Sequence, residues 1–281
     1  MIETLQPTTF DVAAARELAR QIRRDVLKMT HRAGSSHVGS ALSAADLLAA
    51  LYSGILRINP ATVDSPRRDR FILSKGHACA ALYAALASRG FFPGTWLEDF
   101  YQDGSLLAGH ATHKGVPGVE VSTGSLGHGL SIGCGMALAA KRDAAPYRVF
   151  VLLSDGECDE GSVWEAALFA AHHGLDNLVV IIDYNRIQSF GAVDEVLKLD
   201  PFAAKWEAFC WSVAEIDGHD LGEIAGALEK APREPGRPTC VVAHTVKGRG
   251  VSFMEGLLLW HYRAPNATEL ERALAEVEAR R

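Results

Sequence analysis

Apolar residues recur at helical spacing over 11–31, which predicts an amphipathic helix with Asp11 as its N-cap and Gly34 just past its end. A small-residue stretch over 34–43 reads as a loop, and a second helix is expected over 44–53 with Ser43 as a candidate N-cap. Residues 70–73 predict a short buried strand running into Ser74-Lys75-Gly76-His77, and an alanine-rich helix follows to about Arg89. After a long glycine- and histidine-containing segment over 103–129, another alanine-rich helix reaches about Lys141. The run 149–153 is unbroken and apolar and ends in Ser154-Asp155-Gly156, the pattern of a strand covered on both faces. A helix over 162–173 and a second apolar run over 178–182, ending in Asp183-Tyr184-Asn185, complete a strand–helix–strand unit. Strands are also expected over 212–216 and 240–244, with a helix over 221–230 and a turn-rich connection over 232–238 between them. The last dozen residues read as a solvated helix.

Strands alternating with helices predict an α/β fold: a doubly wound, mainly parallel sheet with helices on both faces. No internal repeat or low-complexity linker interrupts the 281 residues, so a single domain over 1–281 is expected. Composition agrees, at 48% hydrophobic and 22% charged, which suffices for a full core. A net charge of -6 gives no concentrated basic surface for nucleic acid. The one basic run, Arg67, Arg68 and Arg70, is diluted by Asp64 and Asp69 and reads as a solvated loop, with a phosphate contact as the alternative. The five cysteines are odd in number and without CxxC spacing, which argues for a reducing compartment and against a zinc site or disulfide framework. The N-terminal stretch lacks an apolar leader core, and no run approaches membrane-spanning length. A cytoplasmic protein with neither nucleic-acid nor membrane partners is expected.

Asp155 and Asn185 carry the strongest chemical signal. In a parallel sheet, ligands bind beyond the carboxyl ends of strands. If the two strands are neighbours, both side chains face one crevice. A carboxylate and an amide oxygen are hard ligands suited to Mg²⁺, with Ca²⁺ as a substitute, and Mg²⁺ completes its octahedron with phosphate oxygens and water. Gly156 lets the backbone approach a phosphate. The competing reading is that Asp and Asn only cap turns after strands.

The stretch LLSDGECDEGSVWEAALFAAHHGLDNLVVIIDYNRIQ resembles the thiamine-diphosphate motif of transketolases. The similarity extends in order through SSHVGSALS, LSKGHACAALYAAL, AGHATHKGVPGVEVSTGSLGHGLSIGCGMALA and TVKGRGVSFME, nearly the whole chain. The resemblance implies that Asp155, Asn185 and the Ile187 carbonyl hold Mg²⁺ and that the Gly156 amide faces the diphosphate of thiamine diphosphate. The motif's first glycine is Ser154 here, a departure that bears on diphosphate affinity if the position needs positive φ. His37, His77 and His110 stand in settings similar to family positions around the thiazolium and the substrate hydroxyls. Ketol transfer moves protons on and off oxygen, which imidazole can do. His110 is assigned to the reacting hydroxyl, and His37 and His77 to the diphosphate and substrate oxygens; His77 could instead serve as a helix N-terminal residue. A loop histidine on its own is more often a surface residue.

Ser122 to Gly129 precedes a helix whose free N–H groups suit an anion. Its spacing is GxxGxG with no long strand in front, which weakens a nicotinamide-dehydrogenase reading. By resemblance Gly124 and Leu126 contact the cofactor. Glu160 is either a first-turn acid or, as the family suggests, part of a carboxylate network at a dimer interface linking two active sites. Lys247 is either a solvated loop lysine or a residue at the diphosphate or substrate entrance. Tyr262, in Trp260-His261-Tyr262, stands where relatives usually carry Gly, a departure that bears on the substrate channel or on loop packing.

The resemblance ends after one domain. The pyrimidine-binding domain, with the glutamate that protonates the aminopyrimidine, and the C-terminal domain with its phosphate-binding arginines are therefore expected on a partner chain, in an α2β2 assembly. The function implied is transfer of a two-carbon ketol unit from a ketose phosphate to an aldose phosphate. The alternatives are a related thiamine enzyme acting on a specialised sugar or secondary metabolite, a non-catalytic metal-diphosphate binding subunit, and a fragment of a longer enzyme.

Overall fold

The computed structural model describes residues 10–279. The first nine residues of the stretch read for a leader, and the last two of the expected terminal helix, lie outside them. Helix Val12–Ala33 begins where Asp11 accepts from the Ala13 amide at 2.8 Å and ends at Gly34 in the left-handed region. Its apolar stripe, including Ala15, Ile22 and Val26, is fully buried.

The strands are β1 (Arg70–Leu73), β2 (Val149–Ser154), β3 (Leu178–Tyr184), β4 (Ile187–Gln188), β5 (Gly191–Ala192), β6 (Ser212–Asp217) and β7 (Thr239–His244). The main sheet is parallel throughout, in the order β1-β2-β3-β7-β6. A separate antiparallel hairpin pairs β4 with β5. The central strands β2 and β3 are apolar up to Ser154 and Asp183 near their carboxyl ends, because each face has its own helical layer. Phe150, Leu152, Val179 and Ile181 enter one core with helices Val12–Ala33, Cys79–Ser88 and Leu221–Leu228. Val151, Leu153, Val180 and Ile182 enter the other with Gly129–Arg142 and Gly161–His172. Each of these fully buried side chains contributes about 1.5–3 kcal/mol of transfer free energy. After β3 the chain runs to the sheet edge for β6 and returns for β7, so the winding switches beside β3, where such sheets leave a crevice at their carboxyl ends.

Four expectations need correction. The stretch 34–43 is not all loop: a short helix, Val38–Ser43, forms inside it. Ser43 caps nothing, because its hydroxyl donates to the Ser40 carbonyl and to Asp183. The helix expected over 44–53 runs as Ala45–Ala50 into a wider turn, Leu51–Ile55, where Gly54 adopts φ 140°. The basic run is not solvated throughout, since Arg68 is buried against Glu120 and Asp69 lies between Arg57 and Arg148 at 2.6 and 2.8 Å. The hairpin and helices Val193–Val196 and Phe202–Ala208 have no counterpart in the hydrophobic pattern. All five cysteines are free, four buried and Cys210 exposed. No helix among the described residues is long and apolar enough to cross a membrane.

Candidate active site

β2 and β3 are neighbours, with Ser154 in register with Asp183. The neighbour condition set by the sequence is therefore met. Ser154 itself lies in strand conformation, so serine in place of glycine incurs no left-handed strain here. Asp155 follows at the tip of β2. Its carboxylate accepts from the Gly156 amide at 2.8 Å and from the Arg186 amide beyond β3. It is 1% exposed, yet among the described residues no cationic side chain pairs with it. Burial, and then the charge of Asp183, push its pKa up from the usual carboxylate range. A buried carboxylate held only by N–H groups is suited to a cation.

Asp183 already has its cation. Lys75 and Asp183 both have zero side-chain exposure and form an ion pair. Lys75 also donates to the Ser40 carbonyl at 3.1 Å, and Asp183 accepts from Ser43, Thr245 and Asn185. Burial pushes Asp183 up, but Lys75, Ser43 and Thr245 outweigh it and hold the carboxyl below its ordinary value. This pair braces the floor of the crevice. Asn185 turns its side-chain oxygen to the Ile187 amide at 3.1 Å. Lys247 is buried rather than solvated; its ammonium donates to the Ile187 carbonyl at 2.8 Å and lies 3.1 Å from His261 Nδ1. Burial and Lys75 lower its pKa.

A cavity of about 220 Å³ opens above these groups. Asp155, Gly156, Ile187 and Lys247 line it, with His37, His77, His110, Gly124 and Leu126 from the earlier loops. Asn185 and Glu160 do not line it. Asn185 lies buried behind the wall, and Glu160 is exposed at the start of helix Gly161–His172, beside Gly127. The histidines form one cluster. The His37 ring centroid lies 5.1 Å from that of His77, 5.9 Å from His110 and 4.9 Å from His261. His37 holds a left-handed backbone at φ 72°, with its amide bonded to the His261 carbonyl at 2.9 Å and its Nδ1 3.0 Å from the Ser36 hydroxyl. Burial, then neighbouring His110 and Lys247, lower His37 to about 4. Burial and Lys247 lower His261 to about 3, and burial also lowers His77 and His110. The cluster is neutral at pH 7, so its rings can both accept and donate hydrogen bonds.

The two glycines of the cavity wall are required by space. Gly124 adopts φ 153°, and a Cβ there would come within 2.9 Å of the His110 ring. A Cβ on Gly156 would lie 2.7 Å from Gln188 Cβ, so this glycine admits the hairpin as well as a ligand. The loop carrying Gly124 and Leu126 is fastened by Glu157, which is fully buried and accepts from Ser74, from the Gly127 amide at 2.9 Å and from the Ser154 amide at 3.4 Å. Sequence reasoning missed Glu157, Lys75, Asp183, Ser40, Gln188, Ser189 and His261 as parts of the site. His261 carried a signal: it stands in the triplet read only for Tyr262.

Among the described residues no group of three or more His, Cys, Asp or Glu could hold a metal ion. The Asp155, Asn185 and Ile187 oxygens are a different donor set, one carboxylate with amide and carbonyl oxygens, and their hardness fits Mg²⁺ carried on a phosphate.

This arrangement defines an α/β domain with a crevice at a switch point, where a buried carboxylate and a buried lysine meet a cluster of neutral histidines. Residues 14–274 match the family described as transketolase, thiamine diphosphate binding domain, and the chain belongs to that family. It is 43% identical over 258 residues to an apulose-4-phosphate transketolase subunit from Phocaeicola vulgatus, covering 92% of each chain. It is 42% identical over 260 residues to the 6-deoxy-6-sulfo-D-fructose transketolase subunit SqwG of a Clostridium species, covering 92% of this chain and 94% of the relative. The solved transketolase of Leishmania mexicana superposes with a TM-score of 0.90 at 30% identity, over 95% of this chain and 42% of that one. The chain thus spans about two fifths of the single-chain enzyme and nearly all of the two relatives named as subunits.

Proposed function

We propose that this chain is the diphosphate- and metal-holding subunit of a thiamine-diphosphate-dependent transketolase, an enzyme that moves a two-carbon ketol unit from a ketose phosphate to an aldose phosphate. The observation that carries this reading is the single cavity that joins an unpaired buried carboxylate at the tips of β2 and β3 to the histidine cluster. Asp155 and the Ile187 carbonyl, both on the cavity wall, would hold Mg²⁺, or Ca²⁺ in its place, and Asn185 Oδ1 would join them on giving up the Ile187 amide. The Gly156 amide and the Lys247 ammonium would face the diphosphate. Gly124 and Leu126 bring the opposite wall against the cofactor. Bound thiamine diphosphate supplies the nucleophilic carbon and the electron sink for carbon–carbon cleavage.

The protein's own work is proton handling and orientation. His110, exposed and part of the cavity lining, would exchange a proton with the reacting hydroxyl. His37 and His77, neutral and close together, orient the remaining substrate oxygens. The Lys75–Asp183 pair, its charges answered within the pair, holds the floor of the crevice rigid beneath the ligand.

A partner chain would bring the pyrimidine-binding domain and its activating glutamate, in an α2β2 assembly. The span of this chain, nearly complete against relatives named as subunits and about two fifths of a single-chain enzyme, supports that division. In such an assembly Glu160 is an interface residue rather than a cavity residue, in keeping with its exposure. The free, mostly buried cysteines support a reducing cytoplasm. The names of the relatives and the presence of Tyr262 favour a specialised ketose donor over the sugars of the pentose phosphate route.

The test is to combine the chain with the product of a candidate neighbouring gene, thiamine diphosphate and Mg²⁺, and to assay ketol transfer between sugar phosphates. Activity only in the full mixture is expected. Activity of the chain alone would overturn the division of labour, and cofactor binding without transfer to any aldose would favour the non-catalytic alternative.

A further inference from the structure

Two segments face each other across the rim of the cavity. One is the β4–β5 hairpin, which brings Ile187, Gln188 and Ser189 to the wall; the other is the turn Leu258–His261 with Tyr262 at its end. An inner bridge joins them, from the Ile187 carbonyl through the Lys247 ammonium to His261. An outer bridge runs from the Tyr262 hydroxyl, which donates to the Ser189 carbonyl. The hairpin has little else to hold it. It has two residues per strand, and Phe190 at its tip is 83% exposed. Isolated two-stranded ribbons are marginal in water. Two further ties hold its first strand, Gln188 to Asp159 at 3.0 Å and the Ile187 amide to Asn185 at 3.1 Å, and neither reaches Ser189 at the turn. The inner bridge faces the ligand: an arriving diphosphate competes for the Lys247 ammonium, and a metal ion competes for the Ile187 carbonyl. The outer bridge touches neither, and a residue without a phenol could not make it.

We propose that Tyr262 is a positioning residue that clasps the hairpin against the His261 wall and thereby sets how fast the diphosphate ligand leaves. This rests on the cofactor reading above for the identity of the ligand. The clasp itself does not depend on that reading.

Two measurements test it on wild type, Tyr262→Phe and Tyr262→Gly. In the ligand-free chain, hydrogen–deuterium exchange over 187–192 speeds up in both variants while exchange in β2 and β3 stays as in wild type. In the chain assembled with its partner, loaded with thiamine diphosphate and Mg²⁺ and then chased, the dissociation rate followed by tryptophan fluorescence rises about three- to tenfold in Tyr262→Phe, the range for one lost net hydrogen bond. It rises at least as much in Tyr262→Gly. Unchanged exchange at the hairpin, or an unchanged dissociation rate in Tyr262→Phe, overturns the clasp. Failure of wild type to take up thiamine diphosphate at all overturns the cofactor reading and the role in ligand release, and the exchange result then decides by itself whether the bridge holds the hairpin.

Discussion

Replacing Asp183 by Asn removes the charge that answers Lys75 in a place where water cannot. Both side chains have zero exposure, and the remaining partner of the Lys75 ammonium is the Ser40 carbonyl at 3.1 Å. Removing one member of a buried pair costs about 3–5 kcal/mol, because the other charge stays behind uncompensated. Asn keeps the shape, but only its Oδ1 can still accept, from Ser43 or from Thr245, while its Nδ2 must donate to the other hydroxyl, so a loss of about 3–5 kcal/mol is expected. The exposed pair Arg186–Asp194, with 53% and 47% of its side chains exposed, is the control. Its removal is expected to cost at most about 1 kcal/mol. The double substitution Lys75→Met with Asp183→Asn removes both charges, so it should be more stable than Asp183→Asn alone by at least about 1 kcal/mol. Urea unfolding followed by circular dichroism, with equal slopes checked across the set, gives these differences. Additive losses in the double variant, or a loss under about 1 kcal/mol in Asp183→Asn, would refute the reasoning.

Gly124→Ala places a methyl group 2.9 Å from the His110 ring at φ 153°, so the assembled enzyme should lose at least about tenfold in kcat/KM as His110 is displaced, whereas full activity would mean the loop yields freely. Glu157→Ala leaves Ser74 and the Gly127 and Ser154 amides without their buried acceptor and should cost at least about 2 kcal/mol in the same urea assay; a loss within experimental error would show that the loop is held by other contacts. Acidification should destabilise the chain through the site histidines. Folding holds His37 and His261 at about 4 and about 3, below their ordinary value of 6.5, so the unfolded state binds more protons in between, and stability falls as pH drops from 6.5 toward 3. A His37→Asn, His261→Asn double variant should show a shallower fall over that window, and an unchanged slope would contradict the assignment.

The centre of the sheet was legible because β2 and β3 open on unbroken apolar runs, as strands covered on both faces require; 70–73 matches β1, and the other four expected strands fall inside observed ones, although the edge strand β6 exposes Glu215 and Asp217. The turn residues after β2 and β3 were legible for the same reason, since a polar triplet that interrupts such a run stands out. Lys75 was not. Burial of a lysine is decided by a carboxylate 108 positions away, and no local periodicity records that. Glu157 is hidden likewise, because its three donors come from separate segments. The stretch 34–43 was misread because Gly and Ser signal turns, while Val38–Ser43 is helical through burial of every one of its residues. Of the candidate site residues, those on glycine-rich loops converged on the cavity, whereas Asn185 turned its amide toward Asp183 and Ile187 and Glu160 turned to solvent.

Calorimetric titration of thiamine diphosphate into the chain assembled with its partner, with and without Mg²⁺, for wild type and Asp155→Ala, addresses the strand-tip grip most directly. Saturable, Mg²⁺-dependent binding is expected in wild type and none in the variant; binding to Asp155→Ala with undiminished affinity, or wild-type binding indifferent to Mg²⁺, would contradict the grip.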